Sequence, residues 1–197
     1  MKWYEKYLSV YGKPYADVPA EVMDGIRNRL RTLQSDEPLV SVVVIAYNEE
    51  KHLPACLWSL SESVCEYPME IIGVNNDSAD RTADVFEASG IPYHTELQHS
   101  CGYARRCGLQ YAQGKYYICI DSDTMYPPGY VQAMADALQR PGIVAVSSLW
   151  SYMPDEGHPW LGLKIYEFMR DTHLWMQSFK RPELSVRGLV FAYNADY

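Results

Sequence analysis

The sequence predicts an α/β protein: an open, mostly parallel sheet with helices on both faces. Three observations carry that prediction. Between residues 39 and 146, short apolar runs rich in β-branched side chains alternate with amphipathic segments of helical spacing. The first run is apolar at nearly every position, the mark of a strand covered on both faces. Acidic and amide residues collect just after the first, second and fourth runs, where ligands bind in sheets of this kind.

The first 38 residues read as a helical preface in two pieces, broken by Pro14 and Pro19, with Val22, Ile26, Leu30 and Leu33 recurring on one face. Leu39 to Ala46 is the first strand, and Leu53, Cys56, Leu57 and Leu60 give the helix behind it. Glu70 to Val74 is the second strand, followed by a helix from Asp80 to Ala88 that stops at Gly90. Ile91 to Glu96 makes a third strand. Ala104, Cys107 and Tyr111 share the face of the next helix, which ends by Gly114. Tyr116 to Ile120 is the fourth strand. A helix is expected to open at Pro128 and to turn Val131, Met134 and Leu138 inward, and Ile143 to Val146 is the fifth strand.

Composition narrows the function. The chain has 25 acidic against 17 basic residues in 197, a formal charge of −8, so it lacks the basic field that nucleic-acid binding needs. Its five cysteines are scattered without metal-ligand spacing, and Cys56 and Cys119 sit in apolar runs as reduced core thiols, which fits a reducing compartment. The N-terminus shows no secretory h-region, and the longest strongly apolar stretch, Leu39 to Tyr47, is too short to span a bilayer. Association with a membrane surface would need a region outside this chain.

The chemistry sits in the three loops. The first strand runs into Ala46-Tyr47-Asn48-Glu49-Glu50, the second into Asn75-Asn76-Asp77-Ser78-Ala79-Asp80-Arg81-Thr82, and the fourth into Asp121-Ser122-Asp123. Acidic and amide residues at such junctions commonly cap the next helix, which is the plainer reading for Asp77 or Asp80 taken alone. Asp121 and Asp123 are different, because two carboxylates at a strand mouth, ahead of the next helix, can converge on a hard divalent cation that also grips phosphates. Mn²⁺ or Mg²⁺ on a diphosphate is the expected load. Neither G-x-G-x-x-G nor G-x-x-x-x-G-K-[ST] is present, so phosphate would have to be held through a metal.

Together these residues resemble glycosyltransferase family 2, the inverting nucleotide-sugar transferases with a GT-A, Rossmann-like fold. The likeness rests on four motifs in order: Val42 to Glu49, Asn76 to Thr82, Ala104 to Leu109, and Gly114 to Asp123. It implies a donor site of Ala46, Tyr47, Glu49, Asn76, Asp77, Arg105, Asp121, Ser122 and Asp123, in which Tyr47 and Glu49 hold the nucleoside, Asp77 hydrogen-bonds the base, Arg105 lies near the donor, and Asp121 and Asp123 handle ribose, diphosphate and metal, both as metal ligands. The donor would be a UDP- or GDP-linked sugar and the acceptor a glycan, a lipid-linked glycan or another hydroxyl compound. The protein would work in the cytoplasm, at the inner face of a membrane where a missing flank supplies an anchor. Three positions depart from the pattern: Ala46 stands for proline, Ser100 for glycine and Arg106 for asparagine.

Residues 1–38 are thus a preface, 39–150 the donor-binding region, and 151–197 part of an acceptor-side region that breaks off at Tyr197. Val186 to Asn194 resembles the strand before the family's acidic pair, which places the catalytic base beyond Tyr197. Asp155, Glu156 and His158 are weaker candidates, since a loop of Pro, Asp, Glu and Gly is ordinarily solvated. Trp150, Tyr152, Trp160, Tyr166 and Trp175 make the last third aromatic, suited to stacking a sugar or to packing. Helical spacing from Ile165 to Phe179 would leave an apolar face through which the chain could form a homodimer. Two other functions keep the same residues in view: a nucleotidyltransferase on a related sheet, and a non-catalytic module that binds nucleotide sugars.

Overall fold

The computed structural model describes residues 2–154, 157–181 and 190–196. The strands are β1 (Val40–Ala46), β2 (Met69–Asn75), β3 (Tyr93–Thr95), β4 (Tyr116–Asp121), β5 (Ala145–Ser147) and β6 (Val190–Asn194). The helices are α1 (Ala20–Leu33), α2 (Leu53–Ser61), α3 (Thr82–Ser89), α4 (Cys101–Tyr111), α5 (Tyr130–Leu138) and α6 (Trp160–Lys180). The six strands stand in the order β3-β2-β1-β4-β6-β5. The pairs β3-β2, β2-β1 and β1-β4 are parallel, and β6 runs antiparallel to both its neighbours.

Every residue of β1 is buried, as its unbroken apolar run requires for the central strand of a sheet covered twice. On one face, Val42 and Val44 join Ile26, Leu30, Leu57, Phe86 and Val131 from α1, α2, α3 and α5. On the other, Val43 and Ile45 meet Ala104 and Cys107 of α4. Tyr7, Val10 and Ile26 of the preface lie in the same core as β1, so residues before 39 pack against the sheet. Gly108 is what lets α4 lie so close to the sheet, because a Cβ there would stand 2.3 Å from Val43 Cγ1.

Several expected boundaries move by one or two residues, three of them for reasons visible in the structure. The third strand shortens to Tyr93–Thr95, since Pro92 has no N–H to donate to the ladder. The helix expected at Pro128 opens at Tyr130: the Pro128 carbonyl accepts the N–H of Val64, and the residue before a proline, Pro127, is held out of the helical region. The fifth strand is Ala145–Ser147, not Ile143–Val146, because the N–H of Ile143 is held by the Arg140 carbonyl in a turn and the ladder with β6 begins at Ala145, opposite Tyr193. Asp155, Glu156 and the stretch Val186 to Leu189 lie outside the described residues. All five cysteines are free thiols, with Cys56, Cys107 and Cys119 buried.

Candidate donor and metal site

The chain leaves β1 for β2 on one side and returns to β4 on the other, so the carboxyl ends of β1 and β4 flank the point where strand order reverses. There a cleft of about 610 Å³ opens. Register sets its walls: Ala46 is opposite Asn75, and Ile45 is opposite Asp121. Tyr47 and Asn76 therefore reach the mouth at one level, and Ser122 stands one residue behind them, level with Ala46.

The first two loops are locked together. Asn48 adopts a left-handed backbone, φ 55°, as does Asp77, a conformation that asparagine and aspartate tolerate better than most residues. The N–H of Asn48 donates to Ser78 Oγ at 2.9 Å, and Asn48 Oδ1 accepts from the N–H of Ala79 at 2.9 Å. Below them the N–H of Glu49 donates to Thr82 Oγ1 at 2.8 Å and that of Glu50 to Asp80 Oδ2 at 3.0 Å, while Asp80 Oδ1 accepts the N–H of Thr82 at 2.9 Å. Asp80 is thus a capping and clamping residue, the plainer of its two readings.

Asn76 is buried, and its amide ties the third loop to the second: Nδ2 donates to the carbonyls of Glu96 and Gln98, and Oδ1 accepts the N–H of Ser100. It lines the cleft while its side chain holds the entry to α4 in place. Ser100, where the resembling family has glycine, caps α4 by accepting the N–H of Gly102. Asp77 is exposed at the rim, with Oδ2 3.0 Å from His99 Nε2, and the edge of His99 meets Tyr47, ring centroids 5.1 Å apart. Tyr47 is half exposed, an aromatic ring free to stack on a planar ligand.

Opposite this rim stand the carboxylates. Asp121, the last residue of β4, is 20% exposed, and its Oδ1 accepts a bond from Arg105 Nη2 of α4 at 2.9 Å. Burial pushes Asp121 up to about 6, because desolvation, helped by Asp123 and Glu49, outweighs the attraction of Arg105. Glu49, paired with His52 at 2.7 Å, is also raised by burial. Asp123, two residues further on, is exposed, and Ser122 is buried between them. Arg106 is not among the residues that line the cleft, and its guanidinium lies over the Tyr103 ring.

Among the described residues, no group of three or more His, Cys, Asp or Glu forms a metal cage. Two carboxylates with hard oxygen donors suit Mg²⁺ or Mn²⁺, which take one or two protein carboxylates and complete their shell with phosphates and water. The donor set of Asp121 and Asp123 fits such a cation.

The structure brings Ala46, Tyr47, Glu49, Asn76, Arg105, Asp121, Ser122 and Asp123 to one cleft, with Asp77 at its rim. It adds residues not foreseen. His99 lines the cleft beside Ser100, and its place just after the third strand was the available signal. Tyr11, from the preface, donates its hydroxyl to the backbone carbonyl of Asp123 at 3.1 Å. Nothing in the local pattern around Tyr11 announces that contact.

Comparison with known proteins gives a consistent picture. The model of the family described as Glycosyl transferase family 2 matches residues 41–193. Validoxylamine A glucosyltransferase of Streptomyces hygroscopicus subsp. limoneus is 26% identical over 167 residues, 77% of this chain and 37% of that protein. The chain spans about a third of the length of the curated relatives it matches. Among solved structures, glucosyl-3-phosphoglycerate synthase of Mycobacterium tuberculosis in complex with UDP aligns with a TM-score of 0.59 and 21% identity over 88% of this chain and 61% of that one. A mannosyltransferase of Pyrobaculum calidifontis in complex with GDP-Man and Mn²⁺ aligns with a TM-score of 0.59 and 17% identity over 89% of this chain and 53% of that one. At these identities the structural likeness establishes the fold.

Proposed function

The chain belongs to glycosyl transferase family 2, and on that premise we propose that it carries the donor-binding part of an inverting, metal-assisted glycosyltransferase. The observation that carries the reading is the Arg105–Asp121 ion pair at the switch point of the sheet, with Asp123 lining the same cleft, across from the Tyr47, His99 and Asp77 rim. The donor is a UDP- or GDP-linked sugar, and the acceptor a hydroxyl of a glycan, a lipid-linked glycan or another compound. Solved neighbours in complex with UDP and Mn²⁺ or with GDP-Man and Mn²⁺ support this.

In this reading Tyr47 stacks on or against the base, Asp77 accepts a hydrogen bond from it, and Glu49 supports the nucleoside from the β1 loop. Asp121 and Asp123 would hold Mn²⁺ or Mg²⁺ at the diphosphate end of the cleft. When bound, that cation supplies Lewis-acid stabilisation of the charge that develops on the leaving diphosphate. Arg105 orients Asp121 and adds positive charge on the same side, and Asn76 and Ser100 set the start of α4 toward the phosphates. The acceptor hydroxyl attacks the anomeric carbon from the face opposite the nucleotide, and its proton passes to a carboxylate outside the described residues. Residues 39–150 serve the donor, 151–197 the acceptor side, and 1–38 buttress the cleft. Among the described residues no helix is long and apolar enough to cross a membrane.

The test is calorimetric titration with UDP and GDP, with and without Mn²⁺. Metal-dependent binding of one nucleotide supports the reading. Equal affinity after Asp121→Ala and Asp123→Ala would overturn the metal assignment, and a retained anomer in the product would overturn the mechanism.

A further inference from the structure

A second groove, of about 330 Å³, lies between the end of β5 and α6, with Trp150, Trp175, Leu174, Asp171, Ser148 and Ser178 among its walls. That volume is at the small end of the range, about 300–1,000 Å³, of ligand sites. Its position follows from register. Ser147 pairs with Phe191 of β6, and Phe191 pairs with Cys119 of β4, two residues before Asp121. β5 runs parallel to β4, so the chain beyond Ser147 emerges at the same carboxyl rim as Asp121, two strand spacings or roughly 10 Å across the sheet.

The groove's aromatic wall is braced from behind. The Arg170 guanidinium carbon stands 4.3 Å from the centroid of the Trp150 ring, and its Nη2 donates to the Trp150 carbonyl at 2.6 Å. Its Nε donates to Asp171 Oδ1 at 2.8 Å, and one turn earlier Glu167 Oε1 accepts the N–H of Tyr152 at 2.8 Å. These bonds tie α6 to residues 150–152 and set the indole and the carboxylate side by side. Trp175 is 63% exposed on the same helix, its ring supported edge-on by Phe179.

We propose that this groove is the acceptor subsite of the transferase inferred above, and that it takes an uncharged sugar ring. The chemistry selects that class. Tryptophan faces stack on the C–H face of a pyranose, while a carboxylate and serine hydroxyls accept and donate to its hydroxyl groups. No lysine, arginine or histidine is among the described residues lining the groove. Arg170, the cation beside it, is bonded to Asp171 and Trp150 through Nε and Nη2, its Nη1 is buried, and the side chain is 10% exposed. A phosphorylated acceptor would meet the Asp171 carboxylate with no cation facing it, a repulsive arrangement.

The inference rests on the proposed transferase reading, and one set of spectra separates the two. The chain contains five tryptophans, hence five indole N–H signals in an ¹⁵N-labelled sample, assigned with single Trp→Phe variants. In the presence of UDP and Mn²⁺, the sample is titrated with the methyl glycosides of glucose, mannose, galactose and N-acetylglucosamine, and separately with phosphoglyceric acid. Saturable shifts of the Trp150 and Trp175 signals are expected with at least one glycoside, and none with phosphoglyceric acid. Trp175→Ala should abolish saturation while leaving the melting temperature near that of the parent, since the ring is mostly exposed, and Asp171→Asn should weaken binding about fivefold or more.

Nucleotide binding without any glycoside shift at Trp150 and Trp175 would overturn this inference alone, as would a stronger response to phosphoglyceric acid. Failure of UDP and GDP to bind would overturn the transferase reading, and the acceptor role with it.

Discussion

Arg105 Nη2 stands 2.9 Å from Asp121 Oδ1, so one charge-assisted hydrogen bond joins α4 to the end of β4 inside the cleft at the switch point of the sheet. Both side chains are about four-fifths buried, where losing one partner leaves the other charge poorly solvated. Arg105→Ala should lower stability by roughly 1–3 kcal/mol, read by urea unfolding. It should weaken UDP binding in Mn²⁺ by about tenfold or more, read by calorimetry, with Arg105→Lys in between. Unchanged UDP affinity would remove Arg105 from the site.

Asp121 supplies a pH signature. Its folded pKa, raised to about 6, lies above the unfolded value near 3.8, so the folded chain binds this proton more tightly. The stability contributed by this group therefore grows as pH falls through about 6 and is complete below about 4. Asp121→Asn has no such proton to bind. Without metal, the melting temperature of Asp121→Asn relative to the parent should fall as pH goes from 7.5 to 4.5. A pH-independent difference would contradict the buried, ionised Asp121 described here.

Asn48 joins the β1 and β2 loops from a left-handed backbone. Asn48→Ala removes the acceptor of the Ala79 N–H and places alanine in a region that disfavours it. We expect a loss of about 1–3 kcal/mol in urea unfolding. Asn48→Gly should recover the backbone part of that loss and none of the hydrogen bond. If alanine and glycine behave alike, the φ of 55° is not the cause.

Gly108 meets the sheet at a distance that admits no side chain, with Val43 Cγ1 2.3 Å from where a Cβ would stand. Gly108→Ala gains helix propensity, about 1 kcal/mol in a free helix, yet overpacking typically costs about 1–3 kcal/mol. The net should be destabilising. Because α4 carries Arg105, UDP affinity should fall as well. A stabilised variant would mean that α4 does not seat on β1 as described.

Tyr11 reaches Asp123 across 112 residues of sequence and packs its ring on His52, centroids 4.8 Å apart. Tyr11→Phe keeps the packing and deletes the hydroxyl. A stability change below about 1.5 kcal/mol is expected, the size of one hydrogen bond. Mn²⁺-dependent UDP binding should weaken several-fold, since the turn that carries Asp123 loses an anchor. Equal nucleotide affinity would confine Tyr11 to packing.

The reasons for what could and could not be read from sequence differ residue by residue. The unbroken apolar run of Val40–Ala46 reports burial on both faces, a property of the strand itself, and so it was legible without partners. Asp121 and Asp123 were legible because an apolar strand must deliver whatever follows it to one edge of the sheet. Asn76 and Asp77 are adjacent in the same motif, yet one amide is consumed by Glu96, Gln98 and Ser100 while the other carboxylate stays at the rim. Local composition does not distinguish them.

By itself the sequence determined the alternation of strand and helix, the buried faces of α1, α2 and α5, and the gathering of acidic and amide residues at the strand ends. Those follow from apolar periodicity, which each segment carries within its own residues. Only the tertiary structure decided that β6 enters between β4 and β5, that Arg105 closes on Asp121, and that Tyr11 and His99 complete the cleft. Each of these pairs groups from different elements, and which elements meet is set by the packing of the whole core, to which no single stretch of chain holds the information.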